Sequence, residues 1–298
     1  MLNMPHPRTI LPIAVALLLA ACGGGEQPQD TLQAPNADSL AQSERVGRTK
    51  KIFYSIPSPM ETAALLKKAG AAYNGKILND VKNVDKYTAA SKQALNLGVY
   101  GADLSYANVF SHTQETMFYT SCARRLADKL GVTSAFNDST MQLMEENQND
   151  REKLMDVISE TYWDMDRYLK VNDRENISAL MIAGGWVEGL YIATQVAGSS
   201  PSAELKQRIA EQKLSLTDLN ALLATYGEDE TLTGVRADLE ALAALYADVQ
   251  AGGGGATTTT QENGVTVIGS ESGPATLTDA QLKAITEKAA AIRNTYIN

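Results

Sequence analysis

The chain is short of the side chains that most often do chemistry, with two Cys and two His in 298 residues. That scarcity excludes a multi-disulfide framework and a Cys/His zinc site. Positive charge is scarce too. With 26 Lys and Arg against 35 Asp and Glu, the net charge of −9 works against the sequence-independent phosphate attraction of a nucleic-acid binder. No Gly-x-Ser-x-Gly elbow, phosphate loop or His-Glu-x-x-His pair occurs, so a nucleophile–His–acid arrangement would have to be built on His112. What is present in quantity is apolar: 44% of the residues, enough for a sizeable buried core.

The first residues carry an address. Arg8 is the only Lys or Arg among residues 1–21, and Thr9 to Ala21 runs uncharged through Leu11, Ile13, Val15, Leu17, Leu18 and Leu19, the pattern of a secretory leader. The stretch is shorter than the ~20 residues needed to cross a bilayer core. It ends Leu19-Ala20-Ala21-Cys22, which resembles the lipobox of bacterial lipoproteins. The resemblance implies cleavage before Cys22 and acylation of that residue. Gly23 follows Cys22, so an Asp-type inner-membrane retention signal is not present. The implied location is the cell envelope, anchored by lipid in the outer membrane and facing the periplasm or the cell surface.

Cleavage would leave Cys122 as the one thiol beside a lipidated Cys22, and His112 as the one histidine. From 23 to 50 the composition is Gly, Gln, Pro, Asn, Asp, Ser and Ala with few large apolar residues, which predicts a disordered tether. Treated as a flexible coil, it has a reach on the order of 30 Å. The expected organisation is therefore a signal peptide at 1–21, a lipidated cysteine and tether at 22–50, and a helical domain at 51–298.

The domain reads as mainly α, a multi-helix array or bundle of about nine helices beginning at Pro59. Ser58-Pro59-Met60-Glu61 combines an N-cap, a first-turn proline and a capping-box glutamate. Ser111 with Gln114, Asn172 with Glu175, and Thr278 with Gln281 repeat the cap-to-third-position spacing. Leu232, Val235, Leu239, Leu242, Tyr246 and Val249 form a narrow apolar seam. Ser215 and Thr217 could start a new helix within 201–226. Near the C-terminus, Asn263-Gly264 between Thr257–Thr260 and Val265–Ile268 predicts a small hairpin arm at about 256–270.

Small residues recur every fourth position as Ala90, Ala94, Gly98, Ala102 and as Gly185, Gly189, Ala193, Ala197. Such rows predict closely packed central helices, with Gly189→Leu overpacking the contact. The segments Leu95–Tyr106 and Ile182–Gly189 resemble parts of helical bacterial lipoproteins of no assigned activity, and that resemblance transfers no functional residue.

Two carboxylates stand out. Asp103 is the only charge between Lys92 and Glu115, and Glu188 the only one between Glu175 and Glu204. Buried acids need partners or a changed protonation state. Together with His112, Tyr100, Tyr106, Trp186 and Tyr191 they are the candidate polar pocket. Asp156, Glu160 and Asp164, stacked on one helix face opposite Leu154, Ile158, Met165 and Leu169, read as a solvated face rather than a cation site. No metal or cofactor is expected. The expected function is binding or scaffolding in the envelope, with the membrane engaged through lipid, an envelope protein as candidate partner and no nucleic acid. The alternative is a small-ligand-binding protein or hydrolase using Asp103 and Glu188.

Overall fold

The computed structural model describes residues 56–298 except 134–136, 148, 227–228, 251–256, 263–264 and 271–274. For 257–262 and 265–270 it describes the backbone alone. The leader, Cys22 and the tether lie outside the described residues, which all belong to the unit Ser43–Asn298.

The described chain is mostly helical. In order come α1 (Pro59–Lys68), two 3₁₀ turns (Gly75–Ile77 and Val81–Asp85), α2 (Ala90–Val109), α3 (Thr113–Leu130), α4 (Asp138–Glu146), α5 (Arg151–Val171), α6 (Glu175–Ser199), α7 (Ala203–Ala224), α8 (Glu230–Leu245) and α9 (Asp279–Ile297). Between α8 and α9 the backbone of Thr257–Glu262 (β1) runs antiparallel to that of Val265–Ser270 (β2), with Thr259 opposite Ile268. The Asn263-Gly264 turn expected there lies outside the described residues. A bridge between Gln250 and Thr276 brings the two ends of this excursion together.

Helix boundaries follow local chemistry. In α1 the Glu61 amide donates to Ser58 Oγ and the Ser58 amide to Glu61 Oε2, a reciprocal capping box. Thr278 and Gln281 do the same for α9. Ser111 and Asn172 do not start helices. Ser111 sits in the left-handed region at φ 65° and donates its amide to Asn108 O, which ends α2, and α3 begins after His112. Asn172 ends α5, donating its amide to Tyr168 O, and Asp173 at φ 55° turns the chain before α6. Polar residues in a tight inter-helix turn serve the end of one helix as readily as the start of the next. Helix α7 is continuous, because the Ser215 and Thr217 hydroxyls bond back to Gln212 O and Lys213 O instead of capping a new start.

Helices α2 and α6 form the centre. Helix α6 packs on α1, α2, α5, α7, α8 and α9, and α2 on α1, α3, α5, α6 and α9. Helix α6 is long and apolar enough to cross a membrane by composition, yet 94% of its most apolar window is buried by the rest of the chain. Its all-round apolar surface is that of a core helix. The two backbones approach until a Cβ on Gly98 would lie 1.9 Å from Met181 O, and one on Gly184 2.0 Å from Leu95 O. Gly184 stands outside the expected row of small residues. Gly189 instead faces α1, where a Cβ would meet Thr62 Cγ2 at an ordinary 3.4 Å. The α8 seam from Leu232 to Val249 is buried throughout.

Candidate functional site

Asp103 on α2 and Glu188 on α6 both lie in the core, each 0% exposed. Helix α9 supplies what the sequence reading did not, an arginine. Arg293 Nε donates to Glu188 Oε2 at 2.9 Å and Nη2 to Glu188 Oε1 at 3.0 Å, a two-pronged charge-assisted pair. The same Nη2 donates to Ile77 O at 3.2 Å. The guanidinium lies 4.5 Å from the centre of the Tyr191 ring, close enough for a cation–π contact. Asp103 Oδ2 accepts from the Asn79 amide at 3.2 Å, Oδ1 is buried without a hydrogen-bond partner, and the Glu188 charge acts on the Asp103 carboxyl through the dry core.

Burial, and then the neighbouring Glu188 charge, hold the Asp103 carboxyl well above the usual carboxylate range against the opposing pull of Arg293 and the Asn79 amide. Burial raises Glu188 as well, countered by the Arg293 charge and its hydrogen bonds. Two carboxyls sharing a site do not both ionise readily, so they titrate as a unit. The fork from Arg293 decides the division: Glu188 carries the charge and Asp103 the proton. Burial works against the Arg293 charge, but Glu188 and Asp103 outweigh it and keep the guanidinium protonated.

The other candidates divide. Tyr191 joins the cluster through Arg293. Tyr100 lies beside it, with its hydroxyl donating to Asp80 O at 2.9 Å. Tyr106 belongs to a separate aromatic stack, 5.1 Å from Tyr73 between ring centres, and donates to Ala72 O. His112 stacks on Tyr73 at 3.6 Å and pairs through Nδ1 with Glu115 Oε2 at 3.1 Å, half-exposed. Trp186 points toward α7 and donates to Ser215 Oγ at 3.0 Å. The candidate set is therefore three places. Asp156, Glu160 and Asp164 are exposed on α5, and Asp164 is paired with Arg167. Among the described residues no group of three His, Cys, Asp or Glu side chains is placed to hold a metal ion.

Chemically, the central cluster is closed. A cleft lined by Ser58, Pro59, Gly101, Ser105, Tyr162 and Trp163 among others has a volume of about 30 Å³, on the scale of one or two water molecules. Neither Asp103 nor Glu188 lines it. The Arg293 fork occupies both Glu188 oxygens from the side of α9, and the arrangement ties three helices to the 77–79 segment. The signal for Arg293 was present in the sequence: it falls four residues after Ala289 and eight after Ile285 on the buried stripe of α9. Asn79 left no such signal, because a backbone amide donates whatever its side chain.

Comparison of the chain with protein-family models, curated proteins and solved structures finds no match.

Proposed function

We propose that this chain is a lipid-anchored cell-envelope protein, held in the outer membrane through Cys22, whose helical body binds or scaffolds other envelope components. The observation that carries the reading is Leu19-Ala20-Ala21-Cys22 closing an uncharged apolar leader and opening a polar, Gly- and Pro-containing stretch. The helical body supports a non-catalytic role by the use it makes of its two isolated acids. Both Glu188 oxygens are taken by Arg293, and Asp103 is buried in the core. In this reading the arm at about 256–270 is a docking element, since an isolated hairpin is only marginally stable in water. No cofactor is called upon.

The anchor is tested by fatty-acid labelling and fractionation of cells expressing the full chain. Cys22→Ser is expected to abolish label incorporation and move the protein out of the membrane fraction; label and fractionation unchanged by the substitution would refute the anchor. The scaffolding half is tested by crosslinking in intact envelopes, where one recurrent partner crosslinked to the helical body is expected. A second reading, a hydrolase or ligand-binding protein centred on Asp103 and Glu188, draws on the burial of both carboxyls in one core. Turnover of cell-wall glycan by the purified chain, lost in Glu188→Gln, would select it.

A further inference from the structure

The central cluster holds two carboxyls and a single guanidinium away from water. With both acids ionised, one negative charge in the core is left without a counter-ion, a situation buried groups escape by taking up a proton. The hydrogen bonds point the same way. Asp103 Oδ2 accepts from the Asn79 amide, while Oδ1 receives no N–H donor. Oδ1 is buried with no hydrogen-bond partner of any kind, and the charged group acting on it most strongly is Glu188, itself only an acceptor when ionised. A proton on Asp103 removes the uncompensated charge and turns its unpartnered oxygen into a neutral carboxyl oxygen or a donor.

The cluster also reaches the end of α9 by a second route. Asn79, whose amide serves Asp103, donates from Nδ2 to the Tyr87 hydroxyl at 3.0 Å, and Tyr87 donates to Ile297 O at 3.3 Å. Asn96 Nδ2 adds a bond to Tyr296 O at 2.9 Å. The last carbonyls of a helix have no partners within it, and here the 79–96 segment supplies them. Lys92 Nζ on α2 adds donations to Thr295 O and Tyr296 O, so Arg293 and the terminal carbonyls together tie α9 to the centre.

We propose that Asp103, Glu188 and Arg293 form a one-proton latch for α9: with one proton shared between the two carboxyls the helix is docked on α2 and α6, and loss of that proton loosens it.

The surroundings leave the acid pair to titrate alone. Tyr100 on α2, Tyr119 and Cys122 on α3, Tyr191 on α6, and Tyr73 and Tyr87 on the segment before α2 are the other titratable groups around it. Burial pushes all six upward, the Cys122 thiol to about 11, so each stays neutral through the neutral range. Arg293 is the cation that acts on both acids, and it stays charged. An acid whose pKa is higher in the docked state binds a proton on docking. Docking is therefore favoured at low pH and weakens as pH rises from the ordinary carboxylate range toward the docked-state pKa.

Hydrogen exchange of the full chain in detergent, corrected for the intrinsic pH dependence of exchange, tests this directly. The opening equilibrium of the α9 amides is expected to rise about tenfold per pH unit over that window, as one linked proton requires, with the amides of α2 and α6 as the internal reference. In Asp103→Asn, which keeps the shape and cannot ionise, the slope is expected to vanish. A pH-independent α9 in the parent chain, or an unchanged slope in Asp103→Asn, overturns the latch. Should that variant fail to fold, infrared spectroscopy of the parent decides: a protonated-carboxyl band that disappears in step with α9 opening is expected, and its absence at a pH above the ordinary carboxylate range where α9 is still docked overturns the proposal.

Discussion

Helix α6 meets α2 and α9 by opposite means. Against α2 it offers nothing, and the missing side chains of Gly98 and Gly184 let two backbones touch, so that an added Cβ would fall about as close to a carbonyl oxygen as a hydrogen atom does. Against α9 it offers a full charge, and the Glu188–Arg293 fork spans the gap. The first contact gains from dispersion and close packing, whose cost of disruption is steric. The second removes two ions from water, so it adds little net stability when complete but becomes expensive once one partner is lost. One contact resists any addition and the other resists subtraction.

Subtraction should give the largest effect. Glu188→Ala leaves the Arg293 guanidinium buried without its carboxylate and is expected to cost about 3–5 kcal/mol, read as a lower denaturant midpoint at constant slope. Adding Arg293→Met to it should recover a good part of that loss, since an uncharged pair removes the unpaired ion. A double variant no more stable than the single one would break the contrast. Addition at the seam comes next. Gly98→Ala or Gly184→Ala is expected to cost about 3 kcal/mol, the upper end of ordinary overpacking, because the obstacle is backbone and cannot rotate away. Retention of the parental melting temperature in either variant would mean that the two helices separate freely. The smallest effect sharpens the comparison from outside both contacts. Gly234→Ala on the exposed face of α8, where nothing lies within 4 Å of the new Cβ, should stabilise by about 1 kcal/mol through helix propensity alone. Gly189→Ala should fall between these limits, its Cβ meeting only the Thr62 methyl.

Much of the helical layout was legible because its signals are local. Capping boxes at Ser58 and Thr278 act over three residues, and the α8 seam repeats every three or four. The central pairing of α2 with α6 was half legible. The rows of small residues mark helices that pack closely, but which glycine touches which backbone depends on a rotation that spacing does not fix, and Gly184 was missed beside Gly185. Asp103 and Glu188 were visible as lone charges in apolar stretches, and both are buried in the core. The sequence could not say what they meet, because Arg293 lies 105 positions beyond Glu188. Its place on an apolar stripe reads equally well as a long side chain reaching past the core to solvent. His112, Tyr106 and Trp186 drew attention by chemical type, and the structure spends them on stacking and on a hydroxyl acceptor elsewhere.

That separation of 105 positions between the fork's two ends has a consequence for the chain as it is made. Polypeptides emerge from the N-terminal side, so α2 and α6 are both available long before α9 exists. Until then their seam has two carboxyls and no cation, so closing it early would require a second proton. The native interior is thus completed by a side chain made 105 positions after Glu188, and a chain stopped before Arg293 is expected to be cut by proteases faster than the parent.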